Sequence, residues 1–336
     1  MGRGPAPTLL EDIDDLGKHK KPKFGWPDEV EEIVYQSPSD ESDQAATIYV
    51  PDSTAPVPLL IDFHGWSQNY QYPSGAQAAR WCIDSNWAFL YPDFRGASNH
   101  PDGLCSEHVV HDILGAIASI ATFVPIDRNR IYLLGGKTAG HVALYMAGRA
   151  PDVWAGVSVW APWVDLKMWW KERIGCRKNW KYAGHIELAC GGKPSASEEV
   201  AEEYELRSPI TCLQNAVGVP IDLNAGLNDG RIGPVAYRHS LHAYNELAAD
   251  ADRFSDEEIE HFYNAMRPPK GTPPPDPDPL YGSNALVFRG ISNNVRLTIF
   301  RGGHEVFYDA SLNWLAQQRR GEPAVWKCAP KFSIGG

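Results

Sequence analysis

No stretch of this 336-residue chain approaches the eighteen or so uninterrupted apolar residues that a membrane-spanning helix requires, so no span is expected. Basic residues are the minority among the charges, 31 against 42 acidic, and the formal charge is −11. A surface that binds nucleic acid needs a basic stripe to displace counterions from phosphates, and none is visible here. The six cysteines, at 82, 105, 176, 190, 212 and 328, include no C-x-x-C pair, which removes the common zinc and thioredoxin patterns. Cys176 and Cys190 bracket a polar insert where a bridge could close; buried free thiols are the simpler reading. The opening MGRGPAPTLLEDIDD has no apolar core of signal-peptide length, and position 6 is alanine where myristoylation favours serine or threonine. On its own this reads as a cytoplasmic protein or one whose address was trimmed.

What is present is a globular composition, 43% apolar and 22% charged, in a chain long enough for a large core. Short β-rich apolar runs alternate with amphipathic stretches, the pattern of a mostly parallel sheet with crossover helices. EEIVYQS (31–37) and QAATIYV (44–50) flank the turn-rich PSDESD and predict an antiparallel hairpin at the sheet edge. Strands follow at VPLLIDFHG (57–65), WAFLYPDFRG (87–96), RIYLLGG (130–136), AGVSVWAPW (155–163), GVPIDLNAGLNDG (218–230) and NVRLTIFRGGHE (294–305), with helices near 75–86, 106–123 and 139–149. The proline-rich segment 267–279 is a loop. The expected organisation is an N-terminal extension over 1–30, one α/β domain over 31–325 with an insertion at about 164–210, and a tail over 326–336. Sites in open α/β sheets lie beyond the carboxyl ends of the strands, so the glycine-bearing loops after several strands should converge there.

One turn carries an anomaly. IYLLGGKTAGHVAL reads as a strand bending sharply into a helix, as in the G-x-S-x-G elbow that holds a nucleophile in a strained backbone above the sheet, yet Lys137 stands at the apex. GGKT is not the end of a phosphate-binding loop, because the first glycine of that motif would fall at Ile131. A register one residue later would put Thr138 at the apex, and threonine can attack when a base is near.

With IDRNRIYL before the turn and HVALYMAGRAPDVWAGVSVWAP after it, the segment resembles the prolyl-oligopeptidase-like branch of the α/β hydrolases, over about residues 45 to 318. The resemblance implies an α/β-hydrolase fold with a mostly parallel sheet, helices on both faces and an inserted lid. It places Lys137 on the nucleophilic serine, Asp229 of NAGLNDG on the acid and His304 of FRGGHE on the base, with the backbone N–H groups of Trp66 (in FHGW) and Thr138 as oxyanion donors. The implied substrate is a small-molecule ester, a peptide or a glycan-linked acyl group, with no cofactor.

A lysine at that apex changes the chemistry. An amine that attacked an ester or peptide would leave an amide on the enzyme, and removal of a triad nucleophile costs on the order of 10⁶ in rate. Serine hydrolysis is therefore expected to be lost, leaving a binding scaffold. The alternatives are a repurposed site with Lys137 as Schiff-base nucleophile or general base, and a non-catalytic binding protein.

The remaining candidates have plainer alternatives. Asp-Gly is also ordinary turn chemistry, so Asp222 is a fallback acid. His64 either lines the pocket or braces the loop beneath it, while His141 is read as packing. Trp163, Trp169 and Trp170, with Tyr182, could wall the pocket or simply pack the insertion; with Lys167 and Lys171 they suggest an acidic or carbohydrate-bearing ligand. Asp93 and Arg95 read as architecture. His108 and His111 lie at i and i+3 on a helix but lack a third ligand, so no metal is expected.

Overall fold

The computed structural model describes residues 25–176 and 180–327. Its sheet contains β1 (Glu31–Gln36), β2 (Asp43–Tyr49), β3 (Val57–Asp62), β4 (Ala88–Pro92), β5 (Ile126–Gly136), β6 (Gly156–Trp160), β7 (Ile221–Gly226), β8 (Leu286–Ser292) and β9 (Val295–Phe300). Their order across the nine-stranded sheet is β1-β2-β4-β3-β5-β6-β7-β9-β8. Pairing is parallel from β4 through β9 and antiparallel at the β1–β2, β2–β4 and β8–β9 junctions. The helices are α1 (Ala76–Ser85), α2 (Glu107–Ile120), α3 (Gly140–Arg149), α4 (Leu166–Arg173), α5 (Trp180–Cys190), α6 (Glu198–Leu206), α7 (Arg238–Leu247), α8 (Asp256–Ala265) and α9 (Tyr308–Leu315).

The apolar runs read as strands because side chains alternate between two covered faces. Along β5, Ile131 and Leu133 enter one core with α2, α3 and α7, whereas Tyr132 and Leu134 enter the opposite core with α1 and α9. Residues of β3 and β4 divide the same way, Leu59 and Leu90 to one side and Leu60 and Phe89 to the other. Serine caps start several helices: Ser106 accepts from Val109 N–H, and Ser255 closes a reciprocal box with Glu258.

A third apolar cluster joins α4, α5 and α6, which follow one another between β6 and β7, to Trp66 and Val235. Glu172 on α4 anchors that region to α7 and α8. Arg238 donates to it at 2.8 Å and also pairs with Glu260, while the buried His239 lies 3.4 Å away. Burial alone would raise the Glu172 pKa, but His239 and Arg238 draw it down to about 2.

Several boundaries differ from the sequence reading. Trp26 and Val30 are buried core residues, with the Trp26 ring edge-on to Tyr91 at 5.0 Å, so the end of the expected extension belongs to the body. Trp326, the first residue of the expected tail, stacks on Trp314 at 5.6 Å. Residues 1–24 and 328–336 of those two segments lie outside the described residues. The edge strand β8 was not anticipated. Cys176 and Cys190 are both free thiols.

Candidate functional site

The bend after β5 is a single 3-10 turn, Lys137–Ala139, leading directly into α3. Lys137 adopts φ 60°, a left-handed conformation that costs an L-residue about 1–2 kcal/mol. The flanking glycines allow the close approach that creates the strain. A Cβ on Gly135 would fall 2.6 Å from Ala143 Cβ, and one on Gly136 would fall 2.8 Å from Val306 Cγ2. Lys137 is thus a left-handed residue of that turn. Its side chain is exposed and lines a cavity of about 360 Å³. The side chain of Thr138 lies outside the described residues.

Two more loops arrive from neighbouring strands. Asp229 follows β7 and His304 follows β9, and the loops are tied by Leu227 N–H to Phe300 O at 2.8 Å and Asn228 N–H to Gly302 O at 2.9 Å. His304 Nδ1 meets Asp229 Oδ2 at 2.6 Å. The other carboxylate oxygen accepts from Gly230 N–H at 2.9 Å and Val235 N–H at 3.3 Å, so the fully buried Asp229 is fixed in orientation. Engaging Nδ1 leaves Nε2 as the ring atom available for proton transfer. Val306, two residues beyond His304, lines the same cavity as Lys137. Among the described residues, no hydrogen bond or ion pair joins the Lys137 amine to His304 or Asp229. Asp222, the fallback acid, instead pairs with Arg296 at 2.7 Å inside the sheet.

Trp66 lines the cavity with its side chain buried, and its indole Nε1–H donates to His185 Nδ1 on α5 at 3.0 Å. Gln68 Oε1 accepts from Gly65 N–H at 2.8 Å and shapes the loop. His64, one of the pocket candidates, is a brace. It is 2% exposed, stacks on Phe94 at 4.0 Å, and places its ring nitrogens against the carbonyls of Asp93 at 2.6 Å and Gly65 at 3.1 Å. Asp93 also accepts from Tyr70 N–H at 3.1 Å, and Arg95 bonds Asp112 at 2.6 Å, as architectural residues should.

Trp163 and Trp169 do not wall the cavity either. Both are fully buried and stacked on each other at 5.4 Å, and Trp169 donates to Pro234 O, because the apolar faces of α4 and α5 need filling. Trp163 also stacks on the buried His141 at 4.2 Å. Trp170 turns to Glu187 and Tyr204, away from the cavity. Of the expected aromatic wall, Tyr182 lines the cavity, and the lysine there is Lys181 rather than Lys167 or Lys171. His108 contacts Ser39 Oγ at 2.8 Å, and no metal-binding group of three or more His, Cys, Asp or Glu side chains occurs among the described residues.

Among the cavity residues that escaped the sequence reading, Asp62 and Tyr308 stand out with Lys181. Asp62 ends β3 with its carboxyl buried; burial raises its pKa to about 8 against one opposing bond from Phe63 N–H, so it is protonated at neutral pH. Tyr308, at the start of α9, lines the cavity and donates to Ser74 O at 3.0 Å. The signal for Asp62 was a single acid closing the otherwise apolar run VPLLID.

No protein-family model and no curated protein sequence matches the chain. Solved structures do. An acylaminoacyl peptidase from Pyrococcus horikoshii superposes with a TM-score of 0.60 at 14% identity, over 89% of this chain and 43% of that one. The acetyl xylan esterase from Paenibacillus sp. R4 gives 0.58 at 15% identity, over 90% of this chain and 88% of the other. A prolyl endopeptidase structure gives 0.52 at 19% identity, over 70% of this chain and 35% of the other. The chain therefore spans less than half of the two peptidases but nearly all of the esterase. At these identities the likeness concerns architecture alone, and the nine-stranded, mostly parallel sheet is that of the α/β-hydrolase fold.

Proposed function

We propose that this chain is a prolyl-oligopeptidase-like hydrolase scaffold for acyl esters or peptides in which Lys137 occupies the nucleophile position and serine-type turnover has been lost. One observation carries the reading: a lysine at φ 60° crowns the turn between β5 and α3 while the neighbouring loops retain a 2.6 Å histidine–aspartate pair. In a serine-bearing version the apex hydroxyl would attack the acyl carbonyl, His304 would take and return the proton, and Asp229 would orient the imidazole. The backbone N–H groups of Trp66 and Thr138 would receive the oxyanion. The α4–α6 region would act as the lid, contributing Lys181 and Tyr182 to the cavity. Amide formation at a lysine would end turnover after one event. The exposure of Lys137 also disfavours a Schiff-base enzyme, which needs a desolvated amine.

Lys137→Ser tests the proposal. The variant should become stoichiometrically reactive toward a fluorophosphonate and hydrolyse p-nitrophenyl acetate at least about a hundredfold faster than the parent, a small part of what a triad nucleophile contributes. A folded variant that stays inert toward both overturns it. Borohydride trapping of an aldehyde on Lys137 in the parent would instead support the repurposed enzyme.

A further inference from the structure

We propose that the cavity at the lysine-bearing elbow is a receptor for a small organic carboxylate, held by Lys137 and Lys181 and hydrogen-bonded by the Asp62 carboxyl. This deepens the proposed function by naming the ligand class of the same site, and rests on that reading for the placement of Lys137.

The charge distribution is the first argument. On a chain of net charge −11, two ammonium side chains from different elements, the β5–α3 turn and α5, line one cavity of about 360 Å³. The cavity is of the size that takes small molecules. Its one acidic lining residue is Asp62, which belongs to neither lysine as an ion-pair partner among the described residues. Cations in a cleft without a paired protein anion call for an anion from outside.

The state of Asp62 is the second argument. Burial keeps the carboxyl protonated near neutrality, so it offers an O–H donor to a ligand oxygen instead of a repelling charge. The titratable groups facing it do not reverse this. Cys82 on α1, Tyr91 on β4 and Tyr308 on α9 are all pushed upward by burial and stay neutral, and the only cations in the cavity lining are the two lysines. The turn itself is the third. A site that steadies a transient oxyanion with backbone N–H groups beside a helix N-terminus presents the same donors to a stable carboxylate, and a lysine in place of a nucleophile adds a counter-charge. Phe63, Tyr182 and Val306 supply apolar walls, which suits an organic acid over a bare inorganic anion.

Succinamate and succinamide differ in one charge at nearly constant shape, and calorimetric titration of the full chain with each at pH 6.5 reads the preference. Succinamate is expected to bind about tenfold more tightly. Lys181→Met, at an exposed position, should reduce that preference about three- to fivefold, the size of a partly screened charge contact. Parent affinity for succinamate should fall between pH 7 and 9 as Asp62 ionises, and Asp62→Asn, a donor at every pH, should flatten that fall. Equal affinity for the two compounds, or a preference unmoved by Lys181→Met, overturns the proposal; so does a pH profile that Asp62→Asn leaves unchanged. None of these readouts needs turnover. A clear charge preference with an inert Lys137→Ser variant would retain the receptor and discard the hydrolase ancestry, and the converse result would do the opposite.

Discussion

The two sides of the elbow site are built differently. On one side Asp229 is fully buried, its oxygens occupied by His304 and two backbone N–H groups. On the other, Lys137 is exposed, in a left-handed backbone, with no ion pair to that couple among the described residues. Side-chain bonding maintains the first half; glycine packing at Gly135 and Gly136 maintains the second. The geometry of the turn therefore depends on the residues around Lys137 and not on the side chain displayed there.

The strongest way to break this contrast is to restore the hydroxyl and then remove the base. In the Lys137→Ser background, His304→Ala should abolish about 10²–10⁴-fold of the gained esterase rate, the contribution of a positioned general base, as read by p-nitrophenol release. An unchanged rate would mean that the intact half is only structural. A smaller effect is expected where α4 is tied to the body. The Glu172 pKa lies below its ordinary value, so its stabilisation is present above about 4.5 and is lost as pH falls toward about 2. Glu172→Gln should cost on the order of 3 kcal/mol at pH 7, by loss of a buried ionic partner, and the cost should shrink below pH 4. Denaturant midpoints across that range check it. Smallest is the apex strain itself: Lys137→Gly should raise stability by about 1 kcal/mol, relieving the left-handed penalty, with the change visible in the urea midpoint.

The sheet was largely legible, for a physical reason. Fully covered strands such as VPLLID and GVSVW leave continuous apolar runs, and the hairpin at 31–49 alternates with a turn between. The meeting of Asp229 with His304 was legible because loops after parallel strands must converge at one end of the sheet. Strand β8, LVFRGIS, was not, since an edge strand with arginine and glycine carries little apolar pattern. The tryptophans of α4 were misplaced because an aromatic's hydrophobicity says that it will be covered, not by what. Asp62 was passed over because its meaning depends on the cavity beside it, which the ends of β3 and β5, helices α5 and α9 and the loops between elements create.

The bond from the Trp66 indole to His185 couples the turn after β3 mechanically to α5, and the Trp66 ring also lies edge-on to Trp169 at 5.0 Å and Tyr182 at 5.8 Å. Displacing α5 would therefore pull on Trp66, a residue of the cavity wall. The position of α5 and the shape of the cavity wall at Trp66 are thereby linked through one side chain.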